Sequence, residues 1–378
     1  MLSNCPLETF QNKYTAIVNL INSDEYNQEL ETINKKLNLS KIVLYGAGTV
    51  GISIATMFEK ANIKIQCFCD KIKIGKEENT GLPIIKPSDL NKDYKDAIII
   101  ISTFYYANEI KKDLILNGVC ENRIFELFLN KKRGVEGKDI TQHLAGYERA
   151  FNIVADQKSK DVIMGRLQCI LTPFPIIPLH LIKIKISNVS AQYFDDEMIH
   201  LDHDEVFVDG GMFTGDTAIS FFKHTNNKYK YYYGFEPDEN NCTKAEENLI
   251  NKTNISIIPK GLWHDEGEIN FNSGLGGSSG FGNEINNPVV KVMSLDAFFS
   301  DKIPPTFIKM DIEGAELEAL KGCENIIRKF KPKLAICAYH KPEDIYTLPE
   351  IIKQYRNDYT FYFRHYTNSL AETVLYAI

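Results

Sequence analysis

Residues 205–217 have the sequence EVFVDGGMFTGDT, in which an apolar run ends at Asp209 and a glycine-rich turn follows. Short β-branched runs favour a strand, and glycines after a strand let backbone N–H groups approach a ligand closely. The segment therefore predicts a strand, a turn and a helix, the unit from which open α/β sheets are built. Such turns are also ordinary connections, so this motif alone does not identify a ligand.

A second unit of the same kind begins near residue 41. Residues 41–45 form an apolar run, and Gly46, Gly48 and Gly51 complete a GxGxxG pattern before an amphipathic stretch. The next predicted strand ends at Asp70, where an acidic side chain binds ribose hydroxyls in dinucleotide-binding folds. The pattern predicts binding of NAD or another nucleotide. The alternative is that the glycines only pack the helix on the strand and the domain is a scaffold.

The two units predict an α/β protein with two Rossmann-like, doubly wound sheets. A chain of 378 residues is long enough for about two domains. We expect two helices over residues 1–40, a nucleotide-binding domain over 41–129, a helical linker or lid region over 130–204 and a C-terminal domain over 205–378. Within the linker region, residues 151–170 are predicted to be helical.

Composition restricts the partners. A net charge of −7 and a pI near 5.7 oppose nucleic-acid binding, because phosphate affinity needs an excess of Lys and Arg. A small-molecule or sugar-like partner fits better. The eight cysteines lack zinc-like spacing, and no stretch approaches the ~20 apolar residues of a membrane span. We therefore expect a cytoplasmic protein without a membrane span; whether it forms a homo-oligomer stays open.

Two predicted strands of the C-terminal domain are followed by carboxylates. Glu236 follows residues 229–235, and Asp311 follows residues 306–310. Because the carboxyl ends of parallel strands meet at one edge of a sheet, Glu236 is placed to accept both ribose hydroxyls of an adenosine cofactor, with the Gly215 turn close by. NAD enzymes share this device, so the position alone does not separate NAD from S-adenosylmethionine (SAM).

Six segments carry a family resemblance, in the order VDGGMFTGDT, FEP, GLWHDEGEINF, MSLDAFF, FIKMDIEGAELEALKG and RHYTNSLAETVLYAI. The set resembles the FkbM family of SAM-dependent methyltransferases from about residue 205 to the end, and IKMDIEGAE is its most specific part. The resemblance implies a class I methyltransferase sheet whose last strand is antiparallel. It also implies a SAM site in which Asp209, Gly211 and Thr214 line the methionine part, Glu236 holds the ribose, and Gly261 and Leu262 border the adenine.

Methyl transfer from a sulfonium to a hydroxyl requires alignment of the reacting pair and removal of the hydroxyl proton. The candidate bases are Asp311, Glu313 and His340, the last because an ordinary histidine pKa suits base catalysis near neutrality. His340 as a surface loop residue is the alternative. Asp311 could instead hold Mg²⁺ that binds vicinal sugar hydroxyls. We expect Glu316 to be a helix-start charge favoured by the helix dipole.

Residues 81–87, GLPIIKP, resemble the amino-terminal domains of sugar acetyltransferases and related polysaccharide-biosynthesis proteins, over about residues 40–127. That resemblance implies a nucleotide-sugar ligand. The sequence therefore predicts a SAM-dependent O-methyltransferase that acts on a sugar hydroxyl, in a nucleotide-sugar or glycan, during polysaccharide biosynthesis. Two alternatives stay open: an NAD-dependent nucleotide-sugar oxidoreductase, and a non-catalytic protein that binds a nucleotide or SAM.

Overall fold

A computed structural model describes residues 9–60, 62–103, 106–129, 137–172, 176–272, 280–281 and 289–378. The chain begins with helices α1 (Phe10–Ile21) and α2 (Asp24–Leu39), which lie where the helical spacing predicts them. Ser23 separates the two helices because its hydroxyl accepts a hydrogen bond from the backbone N–H of Tyr26 and caps α2.

The first sheet has six strands. In chain order its elements are β1 (Ile42–Tyr45), α3 (Thr49–Lys60), β2 (Ile65–Cys69), β3 (Gly75–Lys76), β4 (Pro83–Ile85), β5 (Ile98–Ile101), α4 (Ala107–Leu116) and β6 (Ile124–Phe125). The strand order is β3-β4-β2-β1-β5-β6, and every pairing is parallel except that of β3 with β4. Helices α3 and α4 contribute to separate core clusters on this sheet. Coverage of both faces explains why β1 and β5 are continuous apolar runs.

The middle of the chain contains a short strand pair and two helices: β7 (Leu127–Leu129), α5 (Leu144–Ile153), α6 (Gln157–Leu171) and β8 (Ile176–Pro178). The stretch predicted to be helical, residues 151–170, is helical except at residues 154–156, where α5 and α6 are separated. The backbone N–H of Ala155 donates to the carbonyl of Phe361, and the Asp156 carboxylate caps α6 through the N–H of Ser159. Pairing with a distant strand therefore replaces the helical hydrogen bonds at this point.

The C-terminal part is an α/β unit with a second, small sheet. In chain order its elements are β9 (Val206–Gly210), α7 (Asp216–His224), β10 (Tyr231–Phe235), α8 (Glu239–Asn248), β11 (Ile255–Ile258), β12 (Gly261–Leu262), β13 (Gly267–Asn272), β14 (Gly280–Phe281), β15 (Val289–Met293), α9 (Leu295–Phe298), β16 (Phe307–Met310), α10 (Glu316–Lys321), α11 (Glu324–Phe330), β17 (Lys333–Cys337), α12 (Asp344–Tyr355), β18 (Phe361–His365) and β19 (Thr373–Ala377). The small sheet has the order β12-β15-β13-β14.

The main C-terminal sheet has the strand order β11-β10-β9-β16-β17-β19-β18. Strands β11, β10, β9, β16 and β17 are parallel, whereas β19 is antiparallel to both of its neighbours. The expectation of a class I methyltransferase sheet with an antiparallel last strand is confirmed.

Helices from the first half of the chain pack on the C-terminal sheet. One core cluster contains Phe10 of α1, Phe151 of α5, Leu167 of α6, Ile308 of β16 and Leu375 of β19. A second cluster contains residues of α7 together with Phe307 of β16 and Tyr376 of β19. These strand residues are the direct sequence neighbours of Ile308 and Leu375 in the first cluster. The two clusters lie on opposite faces of the sheet, because successive side chains of a strand point to opposite sides. The helices α1, α5 and α6 thus support the sheet that carries the site described next.

Candidate active site

A cavity of about 960 Å³, its open mouth included, lies where the parallel strands of the C-terminal sheet end. Ligands of open α/β sheets bind at this edge, where loops diverge. Strands β9, β10 and β16 bring Gly211, Glu236 and Asp311 to the cavity, and Glu372 reaches it from the residue before β19. Because β19 is antiparallel, its first residues share an edge with the last residues of the parallel strands.

The glycine turn after β9 forms part of the cavity wall. Gly211 has a φ of +72°, and a Cβ atom there would lie 1.9 Å from the carbonyl oxygen of Asp311, so only glycine fits. Gly215 also has a positive φ and precedes α7, and the carbonyl of Thr214 accepts a hydrogen bond from Asn248. Among the described residues, Gly211 lines the cavity while Thr214 and Gly215 lie outside the lining.

Asp209 lies behind this turn and does not belong to the described lining of the cavity. Its side chain is fully buried and accepts hydrogen bonds from Lys309 Nζ at 2.9 Å and the Tyr232 hydroxyl at 2.9 Å. Burial raises the pKa of Asp209, although the charge of Lys309 opposes that effect. Lys309 also donates to the carbonyl of Gly211 at 2.8 Å. In this structure Asp209 and Lys309 therefore fix the shape of the turn.

Glu236 lies at one end of the cavity. It is 5% exposed, and its two oxygens accept from the backbone N–H groups of Phe213 at 3.1 Å and Asp238 at 3.0 Å. Burial raises the pKa of Glu236, and the hydrogen bonds oppose that effect. A carboxylate oxygen accepts more than one hydrogen bond, so Glu236 can also accept from a vicinal diol. Gly261 and Leu262 of β12 line the same end.

Asp311 lies at the other end of the cavity. Its oxygens accept from the hydroxyls of Tyr193 and Tyr339, each at 3.0 Å. Burial acts to raise the pKa of Asp311, but the positive charges of Lys309 and His340 outweigh it, and the net pKa is lowered. Asp311 is thus a charged carboxylate of low basicity.

His340 is buried, with a side chain 2% exposed, so its alternative placement as a surface loop residue is wrong. Its Nδ1 lies 3.0 Å from Glu316, and its Nε2 lies 3.4 Å from Glu313 and 3.6 Å from Asp311. Burial acts to lower the pKa of His340, but the surrounding carboxylates raise it well above its usual range. The surrounding carboxylates therefore favour the protonated form of His340, which does not accept a further proton.

Glu316 begins α10, as a helix-start charge would, but its carboxylate is fully buried and accepts from the backbone N–H of Ile312 at 3.0 Å. Glu316 thus lies at the helix start as expected and is in addition the close partner of His340. Asp344 adds a further buried carboxyl, whose pKa is raised to about 7 by burial and by the charge of Glu316. One imidazolium thus stands among several carboxyl groups.

The donors near Asp311 do not fit Mg²⁺. Among the described residues, the two groups with suitable spacing are Asp311, Glu316 and His340, and Asp311, Cys337 and Glu372. Each group contains an imidazole or a thiol, whereas Mg²⁺ selects oxygen ligands in octahedral geometry. Both Asp311 oxygens already accept hydrogen bonds from tyrosines, and the positive charge of Lys309 is close enough to lower the pKa of Asp311.

Glu372 is a cavity residue that the sequence reasoning missed. It accepts a hydrogen bond from the side-chain amide of Gln192, and its other oxygen lies 3.5 Å from the Tyr339 hydroxyl, whose single proton is shared with the closer Asp311. Burial and the charge of Asp311 raise the pKa of Glu372 to about 7. Its one sequence signal is a carboxylate in the connection between the two closing strands.

In the N-terminal sheet, the glycine turn has the geometry that the GxGxxG pattern predicts. A Cβ atom at Gly51 would lie 2.0 Å from the carbonyl oxygen of Gly46, so this glycine packs the helix on the turn, whereas Gly48 faces open space. Asp70 accepts from the backbone N–H groups of Ala47, Ile72 and Lys73. Burial acts to raise the pKa of Asp70, but these bonds lower it. Asp70 therefore closes the turn, and nucleotide binding here stays a prediction.

The strand order, the antiparallel last strand and a cavity at the carboxyl edge of the parallel strands are those of the class of SAM-dependent methyltransferases. Residues 209–363 match the Methyltransferase FkbM domain, and residues 38–125 match the C2185-like, N-terminal domain. The chain is thus a SAM-dependent methyltransferase, and its residues 209–363 are similar to the FkbM methyltransferase domain.

Solved structures were compared with the whole chain. The crystal structure of Methyltransferase FkbM from Methylobacillus flagellatus KT has a TM-score of 0.65 and 22% identity, over 97% of this chain and 99% of that chain. An rRNA methylase from Streptococcus thermophilus has a TM-score of 0.31 and 18% identity, over 47% and 87%. Aeropyrum pernix fibrillarin with natively bound S-adenosyl-L-methionine has a TM-score of 0.32 and 10% identity, over 48% and 70%.

A search of curated proteins gave no match. Within the described ranges, every helix is too short or too polar to cross a membrane.

Proposed function

We propose that this chain transfers the methyl group of SAM to a hydroxyl of a sugar, in a nucleotide-sugar or glycan, during polysaccharide biosynthesis. The observation that carries this proposal is the continuity of the cavity from Glu236 to Asp311 and Glu372. The Glu236 end offers acceptors for a ribose, and the other end offers carboxylates and the Gln192 amide. Such groups form hydrogen bonds with several hydroxyls at once, and their negative charge disfavours an anionic group at the acceptor position.

We assign the SAM contacts from the cavity lining. Glu236 accepts the ribose hydroxyls, Gly261 and Leu262 border the adenine, and the backbone at Gly211 approaches the methionine part. Asp209, Thr214 and Gly215 contribute through the shape of the turn. The chemistry supplied by SAM is an electrophilic methyl group.

Isothermal titration of the full chain with SAM and with NAD tests this assignment. We expect SAM to bind, and Glu236→Gln to weaken SAM binding about 10- to 100-fold, because hydrogen bonds to a charged group are lost. Asp301→Asn is the matched control. This carboxylate is 81% exposed, and among the described side chains its ion pair is with the adjacent residue Lys302. Binding of NAD but not SAM would instead favour the oxidoreductase alternative.

Methyl transfer to a panel of nucleotide-sugars and glycans, followed by mass spectrometry and NMR of the product, tests the acceptor class. We expect an O-methyl sugar, formed at the same rate after EDTA treatment because the donors at Asp311 do not suit Mg²⁺. An N-methylated product, or SAM binding without any transfer to this class, would contradict the proposal.

We further infer that the N-terminal turn at Gly46, Gly48 and Gly51 binds the nucleotide part of the acceptor, with Asp70 fixing the turn. Because a Cβ atom at Gly48 meets no atom within 4 Å, Gly48→Ala adds a methyl group without a steric clash and narrows the space for a ligand at the turn. We expect this variant to raise the KM for a nucleotide-sugar while the Kd for SAM stays unchanged. An unchanged KM would favour the scaffold alternative.

A further inference from the structure

The backbone at Glu372 is held in an uncommon conformation. Its φ is +63°, in the left-handed region that side chains other than glycine rarely adopt. Such strain persists where the surrounding structure fixes it, and it concentrates at functional sites. The residue also lines the cavity, so the strain is located where a ligand would bind.

Buried hydrogen bonds fix the chain on both sides of Glu372. The guanidinium of Arg166, 3% exposed, donates to the carbonyl of Leu370 at 2.8 Å and to the hydroxyl of Thr373 at 2.7 Å. The Thr367 hydroxyl donates to the carbonyl of Ala371 at 2.8 Å. Arg166, from a helix of the other half of the chain, thus holds the backbone on both sides of Glu372.

The side chain of Glu372 is positioned as firmly as its backbone. Gln192 donates to one oxygen, and the Tyr339 hydroxyl lies 3.5 Å from the other while also donating to Asp311. Charged and titratable groups from three segments act on Glu372. Lys309 lies in β16 and Asp311 directly follows it, and Tyr193 lies beside Gln192. The third segment is β17 and the residues after it, with Cys337, Tyr339 and His340. Their balance, with burial, gives Glu372 a pKa of about 7.

The other candidate groups are less suited to removing a proton. Asp311 has both oxygens bound by tyrosines and a lowered pKa, and the carboxylates around His340 raise its pKa and favour the protonated form, which accepts no further proton. Glu313 also lines the cavity and has a positive φ of +54°, and its carboxylate lies 3.4 Å from Nε2 of His340, so it is the competing candidate that the experiment below includes. Base catalysis is most efficient when the pKa of the base is near the working pH, which Glu372 satisfies.

We propose, on the basis of the methyl transfer inferred above, that Glu372 is the general base that removes the proton of the acceptor hydroxyl. As the hydroxyl oxygen forms its bond to the methyl carbon, the bond between that carbon and the sulfonium sulfur breaks and its electron pair stays on sulfur. The proton passes to a carboxylate oxygen of Glu372 and then to water. The products are the methyl ether and neutral S-adenosylhomocysteine.

Initial rates of methyl transfer by the full chain, from about pH 6 to about pH 9, test the proposal. For the wild type we expect kcat/KM to rise with pH through about 7 as the carboxyl group loses its proton. Glu372→Gln keeps the size and the Gln192 contact, so we expect kcat to fall about 10²- to 10⁴-fold and the rise with pH to disappear. Glu372→Asp should retain the rise at a reduced rate.

Asp301→Asn is the control for removal of an exposed carboxylate, and Glu313→Gln tests the competing base. A wild-type rate and rise with pH in Glu372→Gln, or loss of the rise in Glu313→Gln alone, would overturn the assignment. SAM titration separates this failure from failure of the proposed function. An active wild type with an equally active Glu372→Gln variant refutes only the base, whereas a wild type that binds SAM but methylates no hydroxyl refutes the function.

Discussion

At the scale of single residues, His340 balances the negative charge at the end of the cavity that contains Asp311 and Glu372, which we call the acceptor end. Its imidazolium contacts Glu316, Glu313 and Asp311, and Asp344 lies within electrostatic range. His340→Ala leaves buried carboxylates without a counter-charge, so we expect the free energy of unfolding to fall by about 3 to 5 kcal/mol. Urea denaturation measures this loss. His180→Ala, at a side chain 66% exposed, is the control, and a loss no larger than in that control would contradict the charge balance.

The same histidine predicts a pH dependence of stability. Because the folded-state pKa of His340 is raised, its contribution is complete below about pH 6.5 and declines as the pH rises through the folded-state value. Glu372 also has a raised pKa, so its contribution is complete at low pH and is lost as the pH rises toward about 7. Because its pKa is raised from 4.5 to about 7, we expect Glu372→Gln to be more stable than the wild type at about pH 8, by about 3 kcal/mol, and equal to it near pH 4. The measurement is the free energy of unfolding of both proteins as a function of pH. A difference between them that is the same at pH 4 and at pH 8 would contradict this prediction.

At the scale of elements, the pair of Asp209 and Lys309 joins strands β9 and β16 beneath the glycine turn. Lys309→Met leaves a buried carboxylate unpaired and removes the bond to the carbonyl of Gly211, so we expect a loss of about 3 to 5 kcal/mol and weaker SAM binding. Adding Asp209→Asn removes the unpaired charge and should restore part of the stability. Additive losses in the double variant, measured by denaturant unfolding, would show that the two side chains do not act as a pair.

The strands and the glycine turns could be predicted from the sequence because their apolar runs and glycines are local signals. Glu236 and Asp311 were placed at the cavity because each directly follows such a run. The break between α5 and α6 could not be predicted, since the backbone at Ala155 pairs with Phe361 far along the chain. Glu372 was missed for the same reason, because Arg166, about 200 residues away, determines its setting.

At the scale of the whole molecule, the C-terminal sheet depends on helices that precede it in the chain. Arg364 of β18, 3% exposed, binds Asp156 at the start of α6 at 2.6 Å, and Phe10 of α1 packs edge-on against Phe151 of α5 with ring centroids 5.7 Å apart. The division of the chain at residue 205 thus cuts through one core. Because Arg166 of α6 also fixes Glu372, the same cut removes support from the acceptor end.

We therefore expect a fragment of residues 205–378 to lack cooperative unfolding and to bind the dye ANS, because the face of the sheet covered by α5 and α6 is exposed. A fragment of residues 137–378 retains those helices and should unfold cooperatively and bind SAM, but with lower stability than the full chain because α1 is absent. Calorimetry and SAM titration of both fragments distinguish these outcomes. Cooperative unfolding of residues 205–378 with the SAM affinity of the full chain would mean that the preceding helices cover the sheet without supporting its fold.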